Sequence, residues 1–415
     1  MEDIFVAGVG LTPLGRFKEE TVKSLAAAAV QEALSDAGCE LTCIETIFYS
    51  SSTSGFLQGQ TFVPGQIVMR EMGFQGIPIY NLENACASGT SAFNLAVQSI
   101  QAGTCDIALA VGAEKMNIDD KDKMFAVFDG GWDIETVEQN KEALLALGDG
   151  VEIPQGSMSD QSYSVFMDVY AAFSRFHMKT FGTTQRQIAA VSAKNHQHSV
   201  YNPKAQFRES YTIDEVLASR PISYPLTLPM CAPISDGAAA TVVCNSEGLA
   251  RIANDGARAV QVKSSVVQTS SRRAADDYEH HITALAAKRL YEQAGIGPQD
   301  IDVVEVHDAT AMGEIIQVEN LQLVEFGEGG PAAERGDFTV GGRIPVNPSG
   351  GLESRGHPIS ATGLAQIHEL VTQLRGEAGR RQVDGARFGL QENGGGLVGI
   401  EEAVAALSIF AAPRI

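Results

Sequence analysis

A chain of 415 residues is too long for one ordinary core and suits two or three units of common size. With 44% hydrophobic and 20% charged residues it has the composition of a soluble globular protein. The formal net charge of −21 excludes the clustered Lys and Arg that nucleic-acid binding needs, and argues equally against an anionic membrane as partner.

In chain order, residues 4–9 read as a strand and 22–37 as a helix that Gly38 stops. Residues 46–49 and 77–82 read as further strands, followed by a small-residue helix over 87–102 stopped at Gly103, and a strand at 107–111. This rhythm implies parallel strands with helices on both faces. A second half repeats it: strand 259–267, helix 282–294, strand 301–306, helices 310–323 and 357–374, and strands 386–390 and 397–405. The chain therefore divides into an N-terminal half (1–113 with 236–258), an inserted loop or lid region (114–235) and a C-terminal half (259–415), the halves meeting near 245–258. The insert is too long for a simple connection and carries a helical part around 163–179.

Six dispersed cysteines (Cys39, Cys43, Cys86, Cys105, Cys231, Cys244) include no CxxC pair, which suggests free thiols in a reducing compartment and no metal site. No basic segment followed by an apolar stretch opens the chain, and no run of about 18 apolar residues occurs. A cytoplasmic location is expected.

The chemistry starts at Asn84-Ala85-Cys86-Ala87-Ser88-Gly89. A strand ends before the cysteine and a helix of small residues follows, placing the thiol at the positive end of a helix dipole. That position favours thiolate, the nucleophilic form, and leaves backbone N–H groups free to hold an oxyanion. Taken alone, such a cysteine is more often a buried structural thiol. A second corner changes the balance: Gly356-His357-Pro358, within a Gly-rich frame from Gly350 to Gly363, places an imidazole where a helix of the second half begins. A neutral His within reach could take the thiol proton. His280, His281, His196 and His198 read as surface groups, and Phe173, Phe176 and Phe181 as packing of the insert or lining of an acyl pocket. Trp132 reads as part of a substrate- or subunit-facing turn.

These motifs together resemble those of the thiolase superfamily. The likeness runs from Val6-Ala7-Gly8-Val9-Gly10 to residues 392–399. Residues 84–89 resemble the nucleophile motif, and 356–363 the GHPxGATG motif with Ser360 in place of its middle glycine. Ser235-Asp236-Gly237-Ala238-Ala239 resembles the segment that returns from the loop domain. His307-Asp308-Ala309 resembles the HD-containing motif of sterol-carrier-protein-type and archaeal thiolases. The resemblance implies a five-layered αβαβα fold of two similar halves and an acyl-CoA acyltransferase. Cys86 would attack the carbonyl, His357 would activate it, and His307 would lie with His357 near one oxyanion. The amides of Cys86 and Gly394 would form a second oxyanion hole, with Gly395 and Ser360 in the same oxyanion and substrate-binding group. Coenzyme A would be a substrate and no cofactor would be permanently bound. At least a homodimer is implied, and a small zinc-ribbon/OB-fold accessory subunit is a possible partner.

One departure matters. Thiolases carry a second catalytic cysteine in a CxGGG turn, or just after HD; here Glu392 and Ala309 stand at those places. Glu392 is expected either to replace that cysteine as acid and base or to make a structural hydrogen bond. The missing cysteine suggests an unusual substrate, such as an aromatic 3-oxoacyl-CoA of the benzoylsuccinyl-CoA type. The alternatives are a retro-aldol lyase acting on a side-chain acyl-CoA with an accessory subunit, and acyl transfer to a phenolic acceptor.

Overall fold

Nine strands form one sheet in the computed structural model, which describes residues 3–252 and 256–413. They are β1 (Ile4–Leu11), β2 (Thr46–Ser50), β3 (Ile79–Leu82), β4 (Ile107–Glu114), β5 (Gly237–Asn245), β6 (Val260–Thr269), β7 (Val303–Glu305), β8 (Phe388–Gly395) and β9 (Val404–Ala411). Their spatial order is β3-β2-β4-β5-β1-β6-β9-β8-β7. Only β3/β2, β2/β4 and β7/β8 are parallel; the other neighbours are antiparallel, so the expectation of a parallel sheet holds only at its two ends. The reason is β5, an alanine-rich run with no helical or alternating signature. It is buried along its whole length between β4 and β1 and reverses the sense of pairing.

The order contains an internal repeat. β2, β4, β5 and β1 lie side by side in one half as β7, β8, β9 and β6 do in the other, with the same sense at each pairing. The halves join where Ile4–Val6 of β1 pairs with Val260–Val262 of β6. Residues 253–255, within the expected junction, lie outside the described residues.

The helices repeat too. α1 (Val22–Ala37) follows β1, α2 (Ser88–Gln101) links β3 to β4, α3 (Phe166–Phe181) and α4 (Gln185–Ser199) lie in the insert, α5 (Ile282–Ala294) follows β6, α6 (Ala311–Asn320) follows β7, and α7 (Thr362–Leu374) links β7 to β8. α1 begins at a reciprocal cap between Thr21 and Ser24 and ends at Gly38, whose φ of 66° only glycine adopts freely. It packs on β1 and β5, while α5 packs on β6 and β9. α2 and α7 touch each other and strands of both halves, and share one apolar core with them. The two halves of the one sheet thus take the helix pair α2 and α7 between them, with α1 and α5 packed on the strands of either half, consistent with the αβαβα arrangement. The inserted helix α4 packs on α6 in a third core. Buried Asp236 ties the start and end of the insert together, accepting the N–H groups of Phe17, Met116 and Asn117 and the Lys115 ammonium.

Two boundaries differ from the sequence reading. Residues 397–403 are a loop rather than strand, because Gly396 and Gly399 turn the chain at positive φ. The helix expected from 357 starts at Thr362; Pro358 is extended, so it precedes the helix rather than lying inside it. Among the described residues no helix is long and apolar enough to cross a membrane.

Candidate active site

Cys86 lies two residues before α2, and His357 five residues before α7, at equivalent places in the two halves. The helices meet at their first turns through Gly89 and Gly363. A Cβ on Gly363 would stand 2.0 Å from Thr90 Oγ1 and 2.5 Å from Asn393 Oδ1, so no side chain fits there. Ala85 holds φ at +47°, an uncommon conformation for a residue with a Cβ, and turns Cys86 out of the strand path. Ser52 Oγ donates to the Ala85 carbonyl at 3.3 Å, and the end of β8 closes on the same turn. Gly395 is bare there because its Cβ would lie 2.4 Å from the Asn84 carbonyl oxygen.

The consequence is a three-residue cluster. Cys86 Sγ and one ring nitrogen from each of His307 and His357 all lie within 4.8 Å of one another. Such a spacing would also suit a soft divalent ion; the sequence reading assigns none, and the chemistry below uses the thiol free. Burial pushes the Cys86 thiol up to about 12, with the Glu83 and Glu114 charges adding to the shift. The expected resting thiolate is therefore corrected: the thiol is protonated at rest and needs a base at the moment of attack.

The two histidines hold complementary tautomers, assigned from their hydrogen bonds. The Thr362 hydroxyl donates to the Pro358 carbonyl, so it accepts from His357 Nδ1–H at 2.7 Å and leaves Nε2 with a lone pair. Asn393 Nδ2 donates to His307 Nδ1 at 3.0 Å, which places the His307 proton on Nε2. Burial keeps both rings neutral, lowering His307 to about 3 and His357 well below its ordinary value. One ring is thus a base and the other a donor. The His357 N–H is held by Ser235 Oγ at 2.8 Å.

Glu392 is fully buried on β8. Its Oε2 accepts the His307 backbone N–H at 2.9 Å, while Oε1 has no partner among the described residues. Burial raises its carboxyl to about 8, against the lowering effect of that N–H. Glu402, which sequence reasoning passed over, comes to the same place from the 397–403 loop. Its Cγ and Cδ lie 2.9 and 3.5 Å from where a Gly394 Cβ would be, and Glu392 Oε1 lies 3.6 Å from that point. Glu402 also lines a cleft with Tyr170, Phe173, Phe176, Tyr278 and Phe326. Gly313, also in the cleft lining, packs against the backbone of His307, its Cβ position 3.1 Å from that carbonyl oxygen.

Other expected residues lie elsewhere. Ser360 Oγ is buried, donates to Glu114 at 2.6 Å and sits 2.9 Å from Ser52 Oγ, so it braces the nucleophile turn from behind. His196 and His198 are buried rather than at the surface, and His281 is a buried cap of α5, while His280 is exposed beside Asp277. Trp132 is buried and stacks on Phe166 within the insert. Phe173 and Phe176 line the cleft, and Phe181 packs on His177 and Tyr278. The six cysteines are free thiols.

A duplicated αβαβα chain whose central helices bring a cysteine and two neutral histidines together defines the class of thiolase-like enzymes. Residues 4–215 match the family model for the thiolase N-terminal domain, and residues 264–408 that for the thiolase C-terminal domain-like family. The chain belongs to the thiolase family and is an acyl-CoA acyltransferase. It is 37% identical to acetyl-CoA acetyltransferase of Methanothermobacter thermautotrophicus, over 99% of this chain and 100% of that protein. It is 35% identical to sterol carrier protein 2 of Rattus norvegicus, over 94% of this chain and 69% of that protein. It is 34% identical to benzoylsuccinyl-CoA thiolase subunit BbsB of Thauera aromatica, covering 92% and 91% of the two chains. Among solved structures, a chain of the Ltp2-ChsH2(DUF35) aldolase shares the fold at a TM-score of 0.74 and 21% identity, with 99% and 98% of the two chains covered.

Proposed function

We propose that the protein catalyses CoA-dependent cleavage of a 3-oxoacyl-CoA, or the reverse Claisen condensation, through an acyl-Cys86 intermediate. The observation that carries this reading is the approach of Cys86 to two histidines in opposite tautomers. His357 Nε2 takes the thiol proton as sulfur attacks the keto carbon, and His307 Nε2–H donates to the oxygen that becomes negative. The N–H groups at the start of α2 and those at the end of β8, at Gly394 and Gly395, supply further donors. Glu392 serves the carbon-acid step in place of the absent cysteine, supported by its burial and its raised carboxyl.

The aromatic cleft supports a bulky substrate, an aromatic 3-oxoacyl-CoA of the kind named for the Thauera relative. Two further proposals concern assembly. The exposed edge strand β3, with Tyr80 54% exposed, supports a homodimer that continues the sheet. The relative named as a subunit, and the aldolase named with a DUF35 protein, support a small accessory partner. Free thiols throughout support a cytoplasmic location.

Intact-protein mass spectrometry after incubation with acetyl-, succinyl-, benzoyl- and longer acyl-CoAs tests the reading. Wild type should gain the acyl mass and Cys86→Ala should not, the best-loaded group naming the substrate class. If no thioester labels Cys86, even with a partner present, the retro-aldol reading replaces this one.

A further inference from the structure

The loop between β8 and β9 is built to hold one acid still and present the next. Glu401 Oε2 accepts from Arg273 Nε at 2.5 Å and Oε1 from the Ser271 N–H at 2.7 Å, with the Ile282 N–H adding a third donor. This pair is buried, at 7% and 0% side-chain exposure. Arg273 turns Nη1 to the carbonyls of Ala274, Ala275 and Asp277, so its direct ion pair is with Glu401. Glu402, one residue on, lines the aromatic cleft. Its Oε1 accepts from Gln317 Nε2 at 3.1 Å, and its Oε2 lies 3.7 Å from His281 Nε2. Burial raises its carboxyl, and the Arg273 charge, which shares the cleft lining, acts against that rise.

Behind Glu402 stands Glu392. The position next to both is Gly394, where any Cβ would strike the Glu402 side chain, so the glycine keeps the space between the two carboxyls open. Glu392 Oε1 is buried without a partner, and a buried polar oxygen left so is costly unless it shares a proton or meets substrate. Glu392 is set into the strand, anchored on the His307 N–H; Glu402 alone borders the cleft.

We propose that Glu402 is the catalytic acid–base group that meets the substrate α-carbon, with Glu392 as its partner in a carboxyl pair that begins cleavage with both carboxyls protonated. The inference rests on the acyl-Cys86 reading above and gives the direct contact with the α-carbon to Glu402, leaving Glu392 to serve the carbon-acid step as its supporting partner. In cleavage, Cys86 sulfur bonds to the keto carbon and the bond from that carbon to the α-carbon breaks, its electron pair staying on the α-carbon. Glu402 gives its proton there and becomes a carboxylate, which Glu392 stabilises by donating a hydrogen bond. The incoming CoA thiol then loses its proton to Glu402 as its sulfur attacks the acyl carbonyl. Cys86 leaves as thiolate and recovers the proton held by His357, so the enzyme returns unchanged.

Exchange of the acetyl-CoA methyl protons in D2O isolates this step, because it needs the carbon acid and not acyl transfer. Wild type should incorporate deuterium. Glu402→Gln, which keeps the Gln317 contact, should lose about 100-fold or more in exchange while Cys86 still loads from acyl-CoA by mass. Exchange at the wild-type rate in Glu402→Gln overturns the proposal. If Glu402→Gln also fails to load, Glu402→Ala supplied with formate decides: restored exchange supports the assignment, and none overturns it. A wild type that never loads Cys86 defeats the acyl-enzyme reading instead, while deuterium uptake dependent on Glu402 would still stand.

Discussion

His307 and His357 face each other edge to face, their ring centroids 5.2 Å apart and their planes at 78°. Each has Nδ1 engaged by a different neighbour, Asn393 for one and Thr362 for the other, and these neighbours impose opposite tautomers. Two identical side chains thus act as a donor and an acceptor within reach of one sulfur.

That division is testable at Asn393. Asn393→Asp replaces the donor to His307 Nδ1 by an acceptor and should shift the ring proton from Nε2 to Nδ1. Loss of one oxyanion donor costs about 100- to 1000-fold in kcat, and KM should change little. Imidazole nitrogen shifts by NMR would report the tautomer directly, and an unchanged His307 signal with full kcat would refute the assignment.

The close approach of α2 and α7 makes a second prediction. Gly363→Ala places a methyl 2.0 Å from Thr90 Oγ1 and must push the helices apart. Overpacking of this kind costs about 1–3 kcal/mol, visible as a lowered midpoint in denaturant. Because the same movement separates Cys86 from His357, alkylation of Cys86 by iodoacetamide should slow as well. A variant as stable and as reactive as wild type would show that the helices do not set the cluster.

Glu392 predicts a pH dependence with a definite sign. Its carboxyl is raised from an ordinary 4.5 to about 8 in the fold. Between those values the folded state binds a proton that the unfolded chain has lost. Stability from this group is therefore full below about 4.5 and falls as pH rises towards 8, by up to about 1.4 kcal/mol per pH unit. Glu392→Gln cannot titrate, so its stability relative to wild type should rise from pH 5 to 8. A constant difference across that range would mean that Glu392 is ionised in the fold.

Much of the cluster was legible because helix ends leave local marks. Small residues after Cys86, and the Gly-His-Pro corner ahead of α7, are requirements of a chain turning at close quarters, and they repeat in both halves. Glu392 was legible as a departure from the motif it occupies. Glu402 was not: Leu397, Val398 and Ile400 look like strand, and the positive φ of Gly396 and Gly399 that breaks it shows only in the backbone. Similarly, β5 carries no alternation to mark it and becomes a strand because its small side chains fit between two neighbours and beneath packed helices.

By itself the sequence determined the duplicated α/β plan, the two corners bearing Cys86 and His357, and membership of an acyl-transferring family, since periodicity and short motifs are local properties of a chain. Only the tertiary structure decided the protonation of the thiol, the tautomers of the two histidines and the placing of Glu392 and Glu402 on either side of Gly394. Those depend on burial and on hydrogen-bond partners as distant along the chain as Asn393 is from His307, and desolvation, which outweighs the helix dipole at Cys86, has no signature in residue order.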